Sequence, residues 1–236
     1  MKIYVRCSGE RTESACIKLA ALQGEPVIIR ARPFGEAIRE CYRQGIKAGD
    51  KYTVVVDADV LLYPGTIARG INELESQPIS IFCLDGKTDD KIMMRSRRAG
   101  IHIYRTGLLK TALDMVDDNY IKPESLVRQR MEARGHKTYV GPIVFGRHDY
   151  DQYYRDLWRK SVAQTQKLGG VFRKKGEKIR HAWVRLAMKD PDYRVIYEAH
   201  KYGQKYKRGE IVIDIDKDYG AGKNLARLNI KEKGPL

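Results

Sequence analysis

The stretch Tyr52–Gly65, YTVVVDADVLLYPG, decides how the chain is read. An apolar run centred on Val54, Val55 and Val56 ends in two carboxylates, Asp57 and Asp59, one residue apart. Apolar residues then resume. A continuous apolar run of this length reads as a buried strand of a parallel sheet. Carboxylates at its end repel one another and resist desolvation, so something positive is expected between them. In an open α/β sheet, ligands bind beyond the carboxyl ends of the strands. Two carboxylates there suit Mg2+ or Mn2+, which take oxygen ligands and bridge to substrate phosphates. The plainer alternative is an Asp that caps the next turn beside a solvated neighbour.

Working outward, strand and helix patterns alternate. KIYVRC (2–7) reads as a strand, RTESACIKLAALQG (11–24) as a helix ending at glycine, and PVIIRA (26–31) as a second strand. PFGEAIRECYRQGIKAG (33–49) places Ala37, Ile38, Cys41, Tyr42 and Ile46 on one helical face and also stops at glycine. PGTIARGINELES (64–76) starts with proline, as first helical turns do, and ISIFCLDG (79–86) is a fourth strand. The alternation implies right-handed crossovers and a mainly parallel sheet with flanking helices, a Rossmann-like α/β fold. Beyond Gly86 the pattern loosens. TDDKIMMRSRRAG (88–100) reads as a polar loop, 101–116 as strand then helix, 123–135 as a short helix and 136–146 as a further strand region. Composition shifts near residue 150. Residues 1–150 are expected to form the catalytic core, and 151–236 a basic, mostly helical extension on the acceptor side, with EIVIDIDKDYG (210–220) as a closing strand.

The chain carries 45 Lys+Arg against 30 Asp+Glu, a net charge of +15 over 236 residues. Such a field favours polyanions, whether nucleic acid, nucleotide phosphates, anionic lipid or a phosphorylated glycan, or it is a solubilising surface. No apolar run approaches the ~20 residues of a membrane span. MKIYVRCSGERTE lacks the pattern of a signal peptide, and Cys7, Cys16, Cys41 and Cys83 form no C-x-x-C pair. These features point to reduced thiols and a cytoplasmic location, with peripheral attachment to a membrane surface left open.

The order helix, glycine, strand, Asp57-Ala58-Asp59, proline resembles the nucleotide-sugar glycosyltransferases of the GT-A fold, particularly the family 2-like group. The likeness runs from RTESACIKLAALQGEPVIIRA through EAIRECYRQGIKAGDKYTVVVDADVLLYPGTI to about Gly146, some 60% of the chain. It implies a nucleoside-diphosphate sugar as donor, a UDP-sugar foremost, with the metal on Asp57 or Asp59 and Ala58 near the ribose. It further implies a catalytic base at the start of a short helix ending in glycine, where KPESLVRQRMEARG offers Glu124. The family's Glu-Asp pair is here Pro123-Glu124, and Asp89 and Asp90 are reserve candidates. A histidine after the last core strand, here His148, is implied as a third metal ligand. Asp149 beside it would orient the ring or cap the next helix. Donor phosphates would meet Arg6, Cys7, Ser8 and Arg11. The acidic residue that many relatives carry after the second strand is absent; Arg30 and Arg32 stand there, and Arg39 and Arg43 are donor-side or solvated.

The implied chemistry is displacement at an anomeric carbon through an oxocarbenium-like state. One base and no protein nucleophile imply inversion. The acceptor is an envelope glycan or lipid-linked saccharide, or, alternatively, DNA carrying a hydroxymethylated base. Trp158 and Trp183 would stack on sugar or base, or serve as core residues.

Overall fold

The computed structural model describes residues 1–120, 122–168, 176–206 and 217–236. The strand expected over 210–220 falls largely outside them. The described chain divides into two compact units, Met1–Lys91 with Arg95–Tyr150, and Ile92–Met94 with Asp151–Leu236.

Unit 1 is built on an eight-stranded sheet in the order β2-β1-β3-β6-β5-β8-β4, with β7 also on β5. The strands are β1 (Lys2–Arg6), β2 (Glu25–Ile29), β3 (Tyr52–Asp57), β4 (Val60–Leu62), β5 (Ile81–Asp90), β6 (Arg95–Arg105), β7 (Lys137–Tyr139) and β8 (Val144–His148). β1 runs parallel to β2 and β3, and β5 parallel to β7 and β8. β6 is antiparallel to β3 and β5, and β4 is antiparallel to β8. The polar stretch after Gly86 is therefore a long hairpin, not a loop. In the ladder Asp89 faces Ser96 and Asp90 faces Arg95, and Asp90 takes its ion pair from Arg97 at 2.6 Å.

The valine run is continuous because both faces of β3 are covered. Val54 and Val56 pack with Ile3, Val5, Leu84, Ile101 and Ile103 on one face, under α1 (Glu13–Ala21) and α3 (Thr66–Glu75). Val55 packs on the other face with Tyr4, Phe82 and Tyr104, under α2 (Phe34–Ala48), α4 (Leu109–Leu113) and α5 (Pro123–Glu132). Each of these valines is essentially fully buried, worth roughly 1.5–3 kcal/mol apiece. α2 buries Ala37, Ile38, Cys41, Tyr42 and Gly45 at helical spacing and stops at Gly49, whose φ of 71° is the left-handed cap position.

Unit 2 is helical: α6 (Tyr154–Leu168), α7 (Gly176–Ala187), α8 (Pro191–Gly203) and α9 (Ala221–Arg227). Its core joins Leu157, Trp158, Val162, Trp183, Val195, Ile196, Ala199 and Leu225. Both tryptophans are buried, and their Nε1–H groups donate to Tyr219 O (3.0 Å) and Ile92 O (2.9 Å). They are core residues here. Asp190 starts α8 by accepting from Asp192 N, with Pro191 in the first turn.

Candidate active site

Parallel pairing of β1 with β3 sets Arg6 beside Asp57. Arg6 Nε donates to Asp57 Oδ1 at 2.7 Å, and Nη1 donates to Glu124 Oε1 at 3.0 Å. His102 lies opposite Val55 on β3 and Asp85 on β5, and its side chain reaches Glu124 Oε2 (3.0 Å) and Asp85 Oδ1 (3.2 Å). Two residues along β6, on the same face, Tyr104 donates its hydroxyl to Glu124 Oε1 at 2.9 Å. One turn after Glu124, Arg128 Nε stands 3.7 Å from Asp85 Oδ2. Arg98 Nη1 stands 3.7 Å from the same Asp85 oxygen, so three carboxylates and four cations form a network at the end of β3.

The network fixes its own ionisation. Burial works against the charge on Glu124, but Arg6, His102 and Arg128 hold its carboxyl well below the ordinary range. Burial likewise opposes charge on His102, and Glu124 and Asp85 push its pKa up to about 9. Asp57 shifts the other way: burial raises its pKa, Arg6 pulls it down, and Asp59 and Glu124 push it up again.

A second cluster forms around Asp59. β4 pairs Val60 with His148, and β5 pairs Asp90 with His148, so three strand ends converge on the imidazole. His148 Nδ1 lies 2.9 Å from Asp90 Oδ2 and 3.0 Å from Asp149 Oδ2, and Nε2 lies 3.5 Å from Asp59 Oδ1. Arg97 caps Asp90 from outside at 2.6 Å. Asp149 adopts φ 64°, which turns it back from the strand so that its carboxylate joins its neighbour's ring. Gly100 is needed beside them: φ is +70°, and a Cβ would stand 2.4 Å from Val60 Cγ2 and 3.1 Å from His148 Cδ2. Burial disfavours the imidazolium, yet Asp149 and Asp59 carry the pKa of His148 up to about 10.

The answer to the question posed by Asp57 and Asp59 is that each has its own cation, Arg6 on one and His148 on the other. For a metal, the ligand atoms of Asp59, His148 and Asp149 lie within 4.8 Å of one another, while Asp57 stands outside this group. The donor set fits Mn2+ or Mg2+. It offers two carboxylates and one imidazole, and mixed oxygen–nitrogen sets favour Mn2+. With Nδ1–H held between Asp90 and Asp149, the neutral tautomer presents the Nε2 lone pair toward Asp59. Once His148 gives up its proton, Asp59, Asp90 and Asp149 outnumber Arg97 by two charges, which a dication would balance.

The remaining expected residues are dispersed by role. Asp90 is fully enclosed, and Asp89 accepts from Tyr63 and Ser96. Cys7 is buried, burial pushes its thiol up to about 12, and its backbone N–H donates to Ile29 O. The Ser8 amide donates to Glu10 at 2.6 Å, Arg11 is half-buried, and Arg32 is exposed. Arg39 ties Glu36, Asp118 and the Val116 carbonyl together. Ala58 is fully buried, and its carbonyl accepts from Thr12. Six participants escaped the sequence reading: His102, Tyr104, Asp85, Arg128, Arg97 and Arg98. His102 lies in the alternating run IHIYR, where a polar residue among apolar ones on a buried strand was the available signal.

No protein-family model and no curated protein sequence matches the chain. Among solved structures, a mannosyltransferase of Pyrobaculum calidifontis, determined with GDP-mannose and Mn2+, aligns over 97% of this chain and 79% of its own, at TM-score 0.50 and 12% identity. A glycosyltransferase involved in glycosylating the major capsid of PBCV-1 aligns over 59% of this chain and 80% of its own, at TM-score 0.39 and 12% identity. A nucleotide-diphospho-sugar transferase of Desulfovibrio desulfuricans G20 aligns over 87% of this chain and 97% of its own, at TM-score 0.41 and 10% identity. At this identity the likeness concerns the fold, and the chain shares the fold of nucleotide-sugar glycosyltransferases.

Proposed function

We propose that the protein is a metal-dependent glycosyltransferase that moves a sugar from a nucleoside-diphosphate sugar to an acceptor hydroxyl with inversion. The observation that carries this reading is the convergence of Asp59, His148 and Asp149 at the carboxyl end of β3, next to a buried arginine, in a fold shared with such enzymes. A Mn2+ or Mg2+ ion held there would neutralise charge on the departing nucleoside diphosphate.

The protein's own groups take the remaining roles. Arg6 lies at the end of β1 with its guanidinium between Asp57 and Glu124, 4.8 Å from the Phe34 ring centre. In this reading Arg6 meets the donor's diphosphate. Drawing Arg6 toward phosphate relaxes its hold on both carboxylates. Glu124 then recovers basicity and takes the acceptor's proton as the acceptor oxygen bonds to the anomeric carbon. The bond from that carbon to the diphosphate breaks, and the electron pair leaves with the diphosphate. Donor binding before acceptor binding follows from this order. His102 and Tyr104 keep Glu124 aimed throughout. A cytoplasmic setting belongs to the same proposal and is supported by four free, buried thiols.

Incubation with UDP-, GDP-, CDP- or dTDP-sugars and Mn2+, followed by 1H NMR of the anomeric signal, tests the reading. One donor is expected to release its nucleoside diphosphate, slowly to water and faster with acceptor, inverted at the anomeric carbon. Retention would remove Glu124 as sole base. No turnover and no binding of any donor would remove the function.

A further inference from the structure

The helical unit holds a cleft that the donor-side chemistry does not use. It measures about 400 Å3 and lies between α8 and α9. Lys201 from α8, Lys205 from the turn that follows it, and Lys223 and Arg227 from α9 line it. Among the described residues of the lining the one carboxylate, Glu198, is shared between Lys201 (3.0 Å) and Arg227 (3.6 Å). Lys205 and Lys223 are exposed, and among the described residues no carboxylate pairs with either. Nearby Asp218 is spent on the backbone N–H groups of Gly220 and Gly222, at 2.7 and 3.2 Å. The cleft therefore carries a surplus of cations lining one hollow, with an aromatic ring beside them. Tyr202 lines it, Lys205 Nζ stands 5.8 Å from its ring centre, and the Tyr206 ring is tilted against it at 5.5 Å.

We propose that this cleft binds a phosphorylated saccharide, with the phosphoryl group held by Lys205, Lys223 and Arg227 and a sugar ring laid against Tyr202. Three features favour this ligand. A hollow of about 400 Å3 is of small-ligand size. Cations lining one hollow suit one phosphoryl group, whereas duplex DNA is met by charges strung along an extended surface. Among the described residues the lining contains no large aliphatic side chain, which an interfacial membrane site requires. That the ligand is the acceptor, or part of it, rests on the glycosyltransferase reading; the binding itself does not.

The test titrates the full chain with glucose 6-phosphate, glucose, a 20-base-pair DNA duplex and phosphatidylglycerol vesicles, each by calorimetry at 50 and 200 mM salt. The double variant Lys205→Glu, Lys223→Glu is titrated alongside. Glucose 6-phosphate is expected to saturate one site and glucose to bind far more weakly. The variant is expected to lose about 30-fold or more in affinity, since each lysine gives up a charge-assisted contact. Both substituted positions are exposed, so the variant keeps its fold, and its Mn2+-dependent nucleotide binding should match wild type. Loss of donor binding in wild type, with phosphosugar binding intact, would overturn the transferase reading alone. Absence of phosphosugar binding, equal binding by the variant, or preference for DNA or vesicles would overturn the proposal.

Discussion

Replacing Glu124 by glutamine is the sharpest probe of the buried ion network. Glu124 is only 12% exposed and accepts from Arg6 Nη1 at 3.0 Å and Tyr104 at 2.9 Å, and His102 Nε2 lies 3.0 Å from its other oxygen. Glutamine keeps the size but turns an NH2 toward one of two buried cations. Removing one member of a buried pair costs about 3–5 kcal/mol, and the surviving amide oxygen places this case near 3. That is ~150-fold in the folding equilibrium and a fall of about 6–12 °C in the melting temperature. The variant also changes pH dependence. In wild type, His102 has a pKa of about 9 against ~6.5 unfolded. Between those values the folded chain binds the extra proton, so this stabilisation is complete below pH 6.5 and lost as pH rises through 9, about 3 kcal/mol in all. Glu124→Gln removes the largest source of the upward shift and should flatten the slope. Both tryptophans lie in the helical unit, so fluorescence follows that unit, and far-ultraviolet circular dichroism in urea at pH 6, 8 and 9.5 is the assay. A variant within 0.5 kcal/mol of wild type, with the alkaline slope unchanged, would refute the network as described.

Other consequences follow from particular groups. Gly100→Ala combines a positive φ with a 2.4 Å clash against Val60 and should cost about 1–3 kcal/mol; wild-type stability in urea would contradict it. His200 is buried, and burial, with Arg180 behind it, lowers its pKa to about 4. The unfolded chain then binds more protons between pH 6.5 and 4, so the helical unit should lose up to about 3 kcal/mol as pH falls through that window. Tryptophan-monitored denaturation at pH 7, 5.5 and 4.5 reads the loss, which His200→Gln should abolish; an equal loss in that variant would assign it elsewhere. All four thiols are buried, with Cys7 and Cys41 pushed up to about 12. A thiol reagent at pH 8 should react only as the chain opens, and rapid labelling of native protein would contradict the packing.

The parts legible in the sequence were those fixed by local periodicity. The valine run with Asp57 and Asp59, the face Ala37–Ile38–Cys41–Tyr42 and the stop at Gly49 each depend on neighbours within a few positions. The β5–β6 hairpin was not legible, because its charges look like a loop until Arg97 meets Asp90 and Arg98 approaches Asp85 across the strands. Nor was the partnership of Arg6 with Glu124, 118 residues apart, which depends on strand order. His148 was found from its place after the last core strand. Asp149 was read as orienting the ring of His148 or capping the next helix, and its carboxylate stands 3.0 Å from His148 Nδ1. That contact depends on a φ of 64°, which aspartate tolerates and which no local sequence pattern announces.

The most direct test of the central claim is Mn2+ binding read by electron paramagnetic resonance, with and without nucleoside diphosphates, on wild type, Asp149→Asn and Asp57→Asn. Wild type should bind Mn2+, and more tightly with one nucleotide. Asp149→Asn should lose at least about 10-fold, as expected for a missing ligand or its immediate support. Asp57→Asn should keep the metal. Binding that survives Asp149→Asn but fails in Asp57→Asn would move the metal off the Asp59–His148–Asp149 cluster, and no binding by wild type would contradict the account.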